Sequence, residues 1–139
     1  MNPSEEVLQR LPQKPPFLFV DSVLQKEESK IRTDYEFSGD EDFFRGHFPD
    51  MPVVPAVILQ EALFQSGALL MSYMFPEAEG RGVVTRVGQG KFRQLVKPQM
   101  RVEMDVELVE EVGSAYFFKG KTYVEGKTVV ALEFACSVA

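Results

Sequence analysis

Residues 56–74 read AVILQEALFQSGALLMSYM, the most hydrophobic helix-like stretch of the chain. Pro55 precedes it, and proline is favoured at the first position of a helix. Phe75-Pro76 then ends it. At the standard rise the stretch gives a helix about 28 Å long. A helix that is apolar nearly all round must be covered on most of its sides, so the stretch predicts a central, wrapped helix.

The segments on either side of this helix predict strands. Val102, Met104, Val106 and Leu108 alternate with polar residues, which is typical of a strand with one buried face. Strands adjacent in sequence favour antiparallel pairing. The sequence therefore predicts an antiparallel α+β domain, residues 1–139, whose twisted sheet curls around the helix. The predicted strands are 17–26, 30–37, 83–92, 101–109, 116–124 and 128–138, with a short helix at 4–11 and an irregular segment at 39–55.

The composition excludes several classes of protein. A chain of 139 residues that is 45% hydrophobic can bury a sizeable core. Its net charge of −6 argues against nucleic acid as the main partner. No apolar run is long enough to span a bilayer, and the acidic N-terminus does not resemble a secretory signal. Cys136, the one cysteine, is predicted to be a core residue and not a nucleophile. We expect a cytoplasmic protein.

His47 is the candidate base and Glu61 is the candidate acid. The chain has one histidine, and it lies in a loop whose prolines at 49, 52 and 55 suggest a fixed path. Glu61 lies inside the apolar helix, where an unpaired carboxylate is costly. Gln65, one turn further on, can hydrogen-bond to it. An imidazole can remove a proton near neutral pH and a carboxylic acid can donate one. No second histidine or nearby cysteine supports a metal site.

The start of the helix supplies a third element. The free backbone N–H groups near Ala56 carry partial positive charge and can hold an oxyanion. A base, an acid and an oxyanion site together suit removal of a proton next to a thioester carbonyl, with loss of a β-hydroxyl. Two plainer interpretations stay open at this point: that His47 is an ordinary surface residue, and that Glu61 is an exposed or interface residue.

Several motifs along the chain resemble one family, the bacterial β-hydroxyacyl-acyl-carrier-protein dehydratases of the hotdog fold. The resemblance covers nearly the whole chain and is closest to the short, Z-type enzymes, which use glutamate where the longer A-type uses aspartate. The residues that carry it are Leu11-Pro12, Pro16-Phe17-Leu18-Phe19-Val20-Asp21, Gly46-His47-Phe48-Pro49, Pro52-Val53, Pro55, Glu61-Ala62, Gln65, Lys91-Phe92-Arg93 and Val96-Lys97-Pro98.

The resemblance implies a role for each site residue. His47 would remove the C2 proton of a (3R)-hydroxyacyl thioester, and Glu61 would protonate the departing hydroxyl. The backbone amides of Val53 and Ala56 would polarise the thioester carbonyl, and Gln65 would support Glu61. The family implies a homodimer, or a trimer of such dimers, with His47 and Glu61 of one site coming from different protomers. No metal or organic cofactor is implied.

The chain departs from the family pattern at three places. Ala56 stands where glycine is usual, and Asp50 also replaces a glycine. Gln13-Lys14-Pro15 stands where a His-Arg-Tyr type of segment is favoured. We interpret these changes as signs of a specialised dehydratase. The alternatives are a hotdog thioesterase, in which Glu61 would activate water, and a non-catalytic module that binds an acyl carrier.

A basic segment is embedded in this acidic chain. Residues 80–102 carry a charge of +6 and no acid, so the remainder carries −12. Such a split indicates a local positive patch that could steer an acidic acyl carrier protein. The alternative is a solvated sheet face whose charges pair with acids elsewhere. The candidate docking residues are Arg86, Lys91, Arg93, Lys97 and Arg101.

Overall fold

The computed structural model describes residues 2–138, which form an antiparallel sheet and one long helix packed against it. The order of the strands across the sheet is β1-β2-β4-β5-β6-β3, and every neighbouring pair is antiparallel. The predicted antiparallel α+β architecture is confirmed. The helices are α1 (Glu5–Arg10), α2 (Phe43–Gly46) and α3 (Ala56–Met74); the strands are β1 (Ser22–Lys26), β2 (Lys30–Glu36), β3 (Gly82–Phe92), β4 (Arg101–Val112), β5 (Ala115–Val124) and β6 (Lys127–Val138).

Helix α3 has the bounds that the sequence predicts, but it is covered on all but one of its faces. Leu59, Ala62, Leu63, Leu69 and Leu70 are buried in the core. The remaining face of α3 carries residues that are three or four positions apart and therefore lie on one side of the helix. This stripe is half-buried or exposed and consists of Val57, Glu61, Phe64, Ala68 and Met71.

No helix among residues 2–138 is long and apolar enough to cross a membrane.

Two glycines let α3 approach the sheet closely. A Cβ atom added to Gly120 on β5 would lie 3.2 Å from Cδ2 of Leu63, and one added to Gly67 would lie 3.2 Å from the ring of Phe134. Such distances are tighter than ordinary van der Waals contact. The approach fixes the height of α3 above the sheet, and with it the position of Glu61 two residues before Leu63.

The strand predicted for residues 17–26 begins only at Ser22. The reason is that the backbone of Phe17 and Phe19 is hydrogen-bonded to a side chain and not to a neighbouring strand. Phe19 N donates to Oε1 of Gln65 over 2.8 Å, and Nε2 of Gln65 donates to Phe17 O over 3.1 Å. The segment is therefore tied to α3 before the chain enters the sheet.

The segment predicted to be irregular, residues 39–55, contains the short helix α2. Its Phe43 ring packs against the rings of Phe19 and Phe37, with centroids 6.1 and 6.3 Å apart. Phe44 is buried beside it. These aromatic contacts anchor α2 to the core, and His47 follows immediately as its C-terminal cap.

The two edges of the sheet differ in length and character. Strand β1 has five residues and is mostly polar, which discourages pairing with another chain. Strand β3 has eleven residues and leaves Val83, Val87 and Phe92 between 41% and 48% exposed. A long apolar edge of this kind is a template for pairing with another strand.

We predict that Gly120→Val lowers the free energy of unfolding by about 1–3 kcal/mol, the usual cost of overpacking, because the new side chain meets Leu63. The matched control is Gly88→Val, since a Cβ atom on Gly88 meets nothing within 4 Å. Urea denaturation followed by circular dichroism measures both variants. Equal stability of the two variants would contradict the close approach of α3 at Gly120.

Candidate active site

The imidazole of His47 is held by the loop that follows it. His47 N donates to Phe43 O over 3.0 Å at the end of α2. Nδ1 of the ring lies 3.1 Å from Val53 O. A carbonyl oxygen can only accept, so Nδ1 carries a proton, and in the neutral ring Nε2 is the nitrogen that keeps its lone pair. The ring of Phe48 stacks on the imidazole at 4.3 Å between centroids. The tautomer that remains is the one a general base requires.

Glu61 is held by Gln65 in a setting that favours its protonated form. Nε2 of Gln65 donates to Oε2 of Glu61 over 3.0 Å, as the sequence predicts, and Gln65 itself is completely buried. Burial raises the pKa of the Glu61 carboxyl above its usual range, and the hydrogen bond from Gln65 opposes that rise. Because Gln65 engages Oε2, a proton on the carboxyl resides on Oε1.

The first turn of α3 presents free backbone donors. Pro55 caps the helix without a side-chain hydrogen bond, and the N–H groups of Ile58 and Leu59 donate to Pro55 O. The N–H of Ala56, which is exposed, has no acceptor among residues 2–138. Val53 is buried and uses its carbonyl to hold His47. Val54 N donates to Val96 O over 2.7 Å, which fixes this loop to the segment after β3.

A cavity of about 260 Å³ lies beside Glu61, between α3 and strands β3 and β6. We call it the acid cavity; Phe64, Ala68, Met71 and Cys136 are among its lining residues. A larger cleft, about 830 Å³, lies elsewhere, around Arg32 and Arg101 at the end of the sheet. None of the cavities described along residues 2–138 is lined by both His47 and Glu61.

The departures from the family pattern lie at the surface around this site. Asp50 is exposed, and no ion pair joins it to His47 within the part of the chain that the structure describes. Ala56 is exposed at the start of α3. Gln13, the first residue of the third departure, lines the acid cavity. The sequence marks this residue as a departure but predicts no role for it.

The basic residues of 80–102 divide into two groups. Arg101 donates to Asp34 over 2.6 Å and to Glu103 over 2.8 Å, so its charge is neutralised in place. Arg86, Lys91, Arg93 and Lys97 are exposed, and none has an ion pair among residues 2–138. Val96, which lies between Arg93 and Lys97 in the chain, is hydrogen-bonded to Val54 in the loop after His47, so this part of the basic segment runs past that loop.

Solved structures define the fold as hotdog. The dehydratase heterocomplex ApeI:P from Xenorhabdus doucetiae matches with a TM-score of 0.79 at 13% identity, covering 96% of this chain and 90% of that chain. The uncharacterized protein PH1136 from Pyrococcus horikoshii matches with a TM-score of 0.69 at 17% identity, covering 100% and 95%. A hypothetical thioesterase with coenzyme A from Streptococcus pneumoniae matches at 0.67 and 10% identity, covering 85% and 84%. The predicted hotdog fold is confirmed.

The sequence comparisons narrow this class to one family. Residues 11–133 match the FabA-like domain. A 3-hydroxyacyl-acyl-carrier-protein dehydratase FabZ from Anaeromyxobacter sp. (strain Fw109-5) is 38% identical, over 96% of this chain and 89% of the relative. The protein of the same name from Bacillus velezensis is 34% identical, over 94% and 93%. The chain belongs to the FabA-like family. Its relatives are named as dehydratases, a type of hydro-lyase, so the predicted family and enzyme class are confirmed.

We predict that Glu61→Gln stabilises the protein at about pH 8 and that the gain shrinks toward about pH 4.5. The raised pKa of Glu61 means that the folded state holds the proton more tightly than the unfolded state, whose carboxyl has a pKa of about 4.3. Stability from this group is therefore full below that value and is lost as the pH rises through the folded pKa. Glutamine remains neutral and can still accept from Gln65.

Thermal unfolding across this pH range measures the effect, with Glu77→Gln, which changes an exposed glutamate after α3, as the control. A melting temperature difference for Glu61→Gln that does not vary with pH would contradict the raised pKa.

Proposed function

We propose that this chain dehydrates (3R)-hydroxyacyl thioesters carried on acyl carrier protein to trans-2-enoyl thioesters. The pathway would be fatty-acid biosynthesis, or a related lipid or polyketide pathway. The observation that carries the proposal is the way in which the two side chains are held: Nδ1 of His47 bonds to Val53 O and leaves Nε2 free, and Oε2 of the half-buried Glu61 bonds to Gln65 and leaves Oε1 free. The names of the relatives at 34–38% identity support the same chemistry.

The proposed reaction uses each group once. Nε2 of His47 takes the C2 proton, and the electrons of that C–H bond form the C2–C3 double bond. The C3–O bond breaks as Oε1 of Glu61 delivers its proton to the hydroxyl, which leaves as water. The N–H groups of Val53 and Ala56 bind the thioester oxygen, where negative charge develops. The histidine ends protonated and the glutamate ionised, so one proton transfer through solvent resets the site.

The proposed site requires a second copy of the chain. No hydrogen bond or ion pair described for residues 2–138 joins His47 to Glu61, whose partners are Val53 and Gln65, and the half-buried or exposed stripe of α3 and the long edge β3 offer surface to a partner. Antiparallel pairing of β3 with its copy would join two sheets into one and cover Val83, Val87 and Phe92. We propose a homodimer on this edge, with trimers of dimers as the larger assembly. The cytoplasmic location stays a prediction.

The proposed partner is an acyl carrier protein bound at Arg86, Lys91, Arg93 and Lys97. Carrier proteins are acidic, and these exposed cations would steer one toward the loop of His47. Arg101 was also predicted for this role, but its ion pairs with Asp34 and Glu103 leave it little charge to offer. The thioester arm would then enter beside the first turn of α3.

We predict that His47→Ala and Glu61→Ala each lower the dehydration rate by about 10²–10⁴-fold, the usual contribution of general acid–base groups. The assay follows the ultraviolet absorbance of the enoyl thioester and, in parallel, the release of free thiol. Thiol release without enoyl formation would identify a thioesterase, and neither product would identify a binding module. Either result overturns the proposal.

The same two variants test the shared site. Each is inactive alone, yet a mixed dimer contains one site with both native groups. Refolding the two together in equal amounts should restore about a quarter of the wild-type rate, because half of the dimers are mixed and each has one native site. If the two groups of a site came from one chain, mixing would restore nothing.

We predict that the double variant Arg93→Glu/Lys97→Glu raises KM for the carrier-linked substrate at least about tenfold at low salt, because it reverses the field that steers the carrier. Turnover of a short thioester without a carrier should persist. Lys26→Glu/Lys30→Glu, at the opposite edge of the sheet, changes the net charge equally and is the control. An unchanged KM at low salt would rule out docking on this patch.

A further inference from the structure

A second cavity lies beyond the acid cavity along helix α3. It has a volume of about 270 Å³ and is lined by Ser72 and Phe75 at the C-terminal end of the helix. We call it the distal cavity. Four residues line both cavities: Gln13, Ala68, Met71 and Gly82. Because the same residues border both spaces, the two cavities adjoin at this set, which we call the junction.

The distal cavity lies at the surface of the protein. Every residue that lines it is half-buried or exposed. The acid cavity differs, because its walls include the buried residues Phe118, Phe134 and Cys136. A chain that passes from the acid cavity through the junction therefore reaches open surface and not a packed end wall.

The junction has a small residue on each of two facing elements. Ala68 lies seven residues after Glu61, on the same stripe of α3. Gly82 lies on β3 two residues before Val84, which lines the acid cavity, and the register of β3 does not shift between these two residues. A side chain at position 82 would therefore point to the same face of the sheet as Val84, toward α3.

Neither backbone conformation nor packing requires glycine at position 82. Its φ angle does not lie in the left-handed region that favours glycine, and an added Cβ atom would meet nothing within 4 Å. Glycine is depleted in strands because it has no side chain to pack. A glycine in a strand often marks a place where a ligand approaches the backbone closely, and the open space beside Gly82 fits that explanation.

The depth of the junction indicates which part of an acyl chain would pass it. The seven residues from Glu61 to Ala68 span about 10 Å along the helix. An extended chain advances roughly 1.2 Å per bond. The junction therefore lies about eight bonds beyond C3, the carbon that loses its hydroxyl at Glu61, which corresponds to roughly carbon 11 of the acyl chain.

We propose that the native substrate carries a long acyl chain that passes between Ala68 and Gly82 into the distal cavity, and that these two residues determine which chain lengths the protein accepts. The inference rests on the proposed function, since it requires the reacting carbons to lie at Glu61. It goes beyond that function because it assigns a class of substrate, chains that extend past about carbon 11. It also assigns a specificity role to two residues that take no part in the chemistry.

The test compares carrier-linked 3-hydroxyacyl chains of about six and about sixteen carbons, of which only the second is long enough to pass the junction. Wild-type protein should have a kcat/KM for the long chain at least equal to that for the short chain. Gly82→Leu should lower kcat/KM for the long chain about tenfold or more and leave the short chain within about twofold, because extra methylene groups in an apolar passage reject a ligand by roughly 10–200-fold.

Two further variants make the test specific. Ala68→Leu narrows the junction from the opposite wall and should also lower kcat/KM for the long chain alone. Gly88→Leu is the matched control, because Gly88 is another glycine of β3 where an added Cβ atom meets nothing within 4 Å, and it lines neither cavity. It should leave the ratio of the two kcat/KM values unchanged. Gly82→Leu should melt no lower than the wild type, since its new side chain enters open space.

The outcomes separate the two proposals. If the wild type dehydrates the short chain and rejects the long one, the inference is wrong and the dehydratase function stands. The same conclusion follows if Gly82→Leu and Ala68→Leu both leave the ratio of long-chain to short-chain kcat/KM unchanged, whether or not the rates fall. If neither chain yields an enoyl product, the proposed function fails and the inference fails with it.

Discussion

The side chain of Gln65 is the constraint on which the rest of the site depends. Its carboxamide is completely buried and bonds to three groups: it accepts from Phe19 N and donates to Phe17 O and to Glu61. Oε1 accepts one of these hydrogen bonds and Nε2 donates the other two, so the amide has one orientation. A buried network is stabilising only when every member is satisfied. Gln65 therefore fixes the segment before β1 and the carboxyl of Glu61 by the same contacts.

The segment that Gln65 holds also reaches the other half of the site. The ring of Phe19 packs on Phe43 of α2, and α2 ends at His47. The backbone N–H of Phe19 therefore bonds to Gln65, which also holds Glu61. The ring of Phe19 supports α2, the helix that ends at His47. In a dimer with shared sites these two groups serve different sites, so the segment ties the geometry of one site to that of the other. This is a route by which one chain can hold both half-sites in register.

The sequence predicts the parts of this structure that local patterns determine. Helix α3 matches its predicted bounds because Pro55 and Phe75-Pro76 mark its ends. Residues 17–21 were misassigned because their partner is a side chain 46 positions away. The four-residue helix α2 is too short to show a period. The pairing of Glu61 with Gln65 was predictable from helical spacing, whereas the position of Gln13 beside the acid cavity depends on packing that no local pattern encodes.

The polar groups along α3 show how the fold balances stability against chemistry. Ser66 and Thr33 are buried on the sheet side and hydrogen-bond to each other at 2.8 Å, so they cost little. On the face toward the acid cavity, burial raises the pKa of Glu61, so an ionised carboxylate is costly there. A fold selected for stability alone would have no reason for a carboxyl at this position, because an apolar side chain would remove the cost. The costly position on α3 is therefore the one that lines the acid cavity.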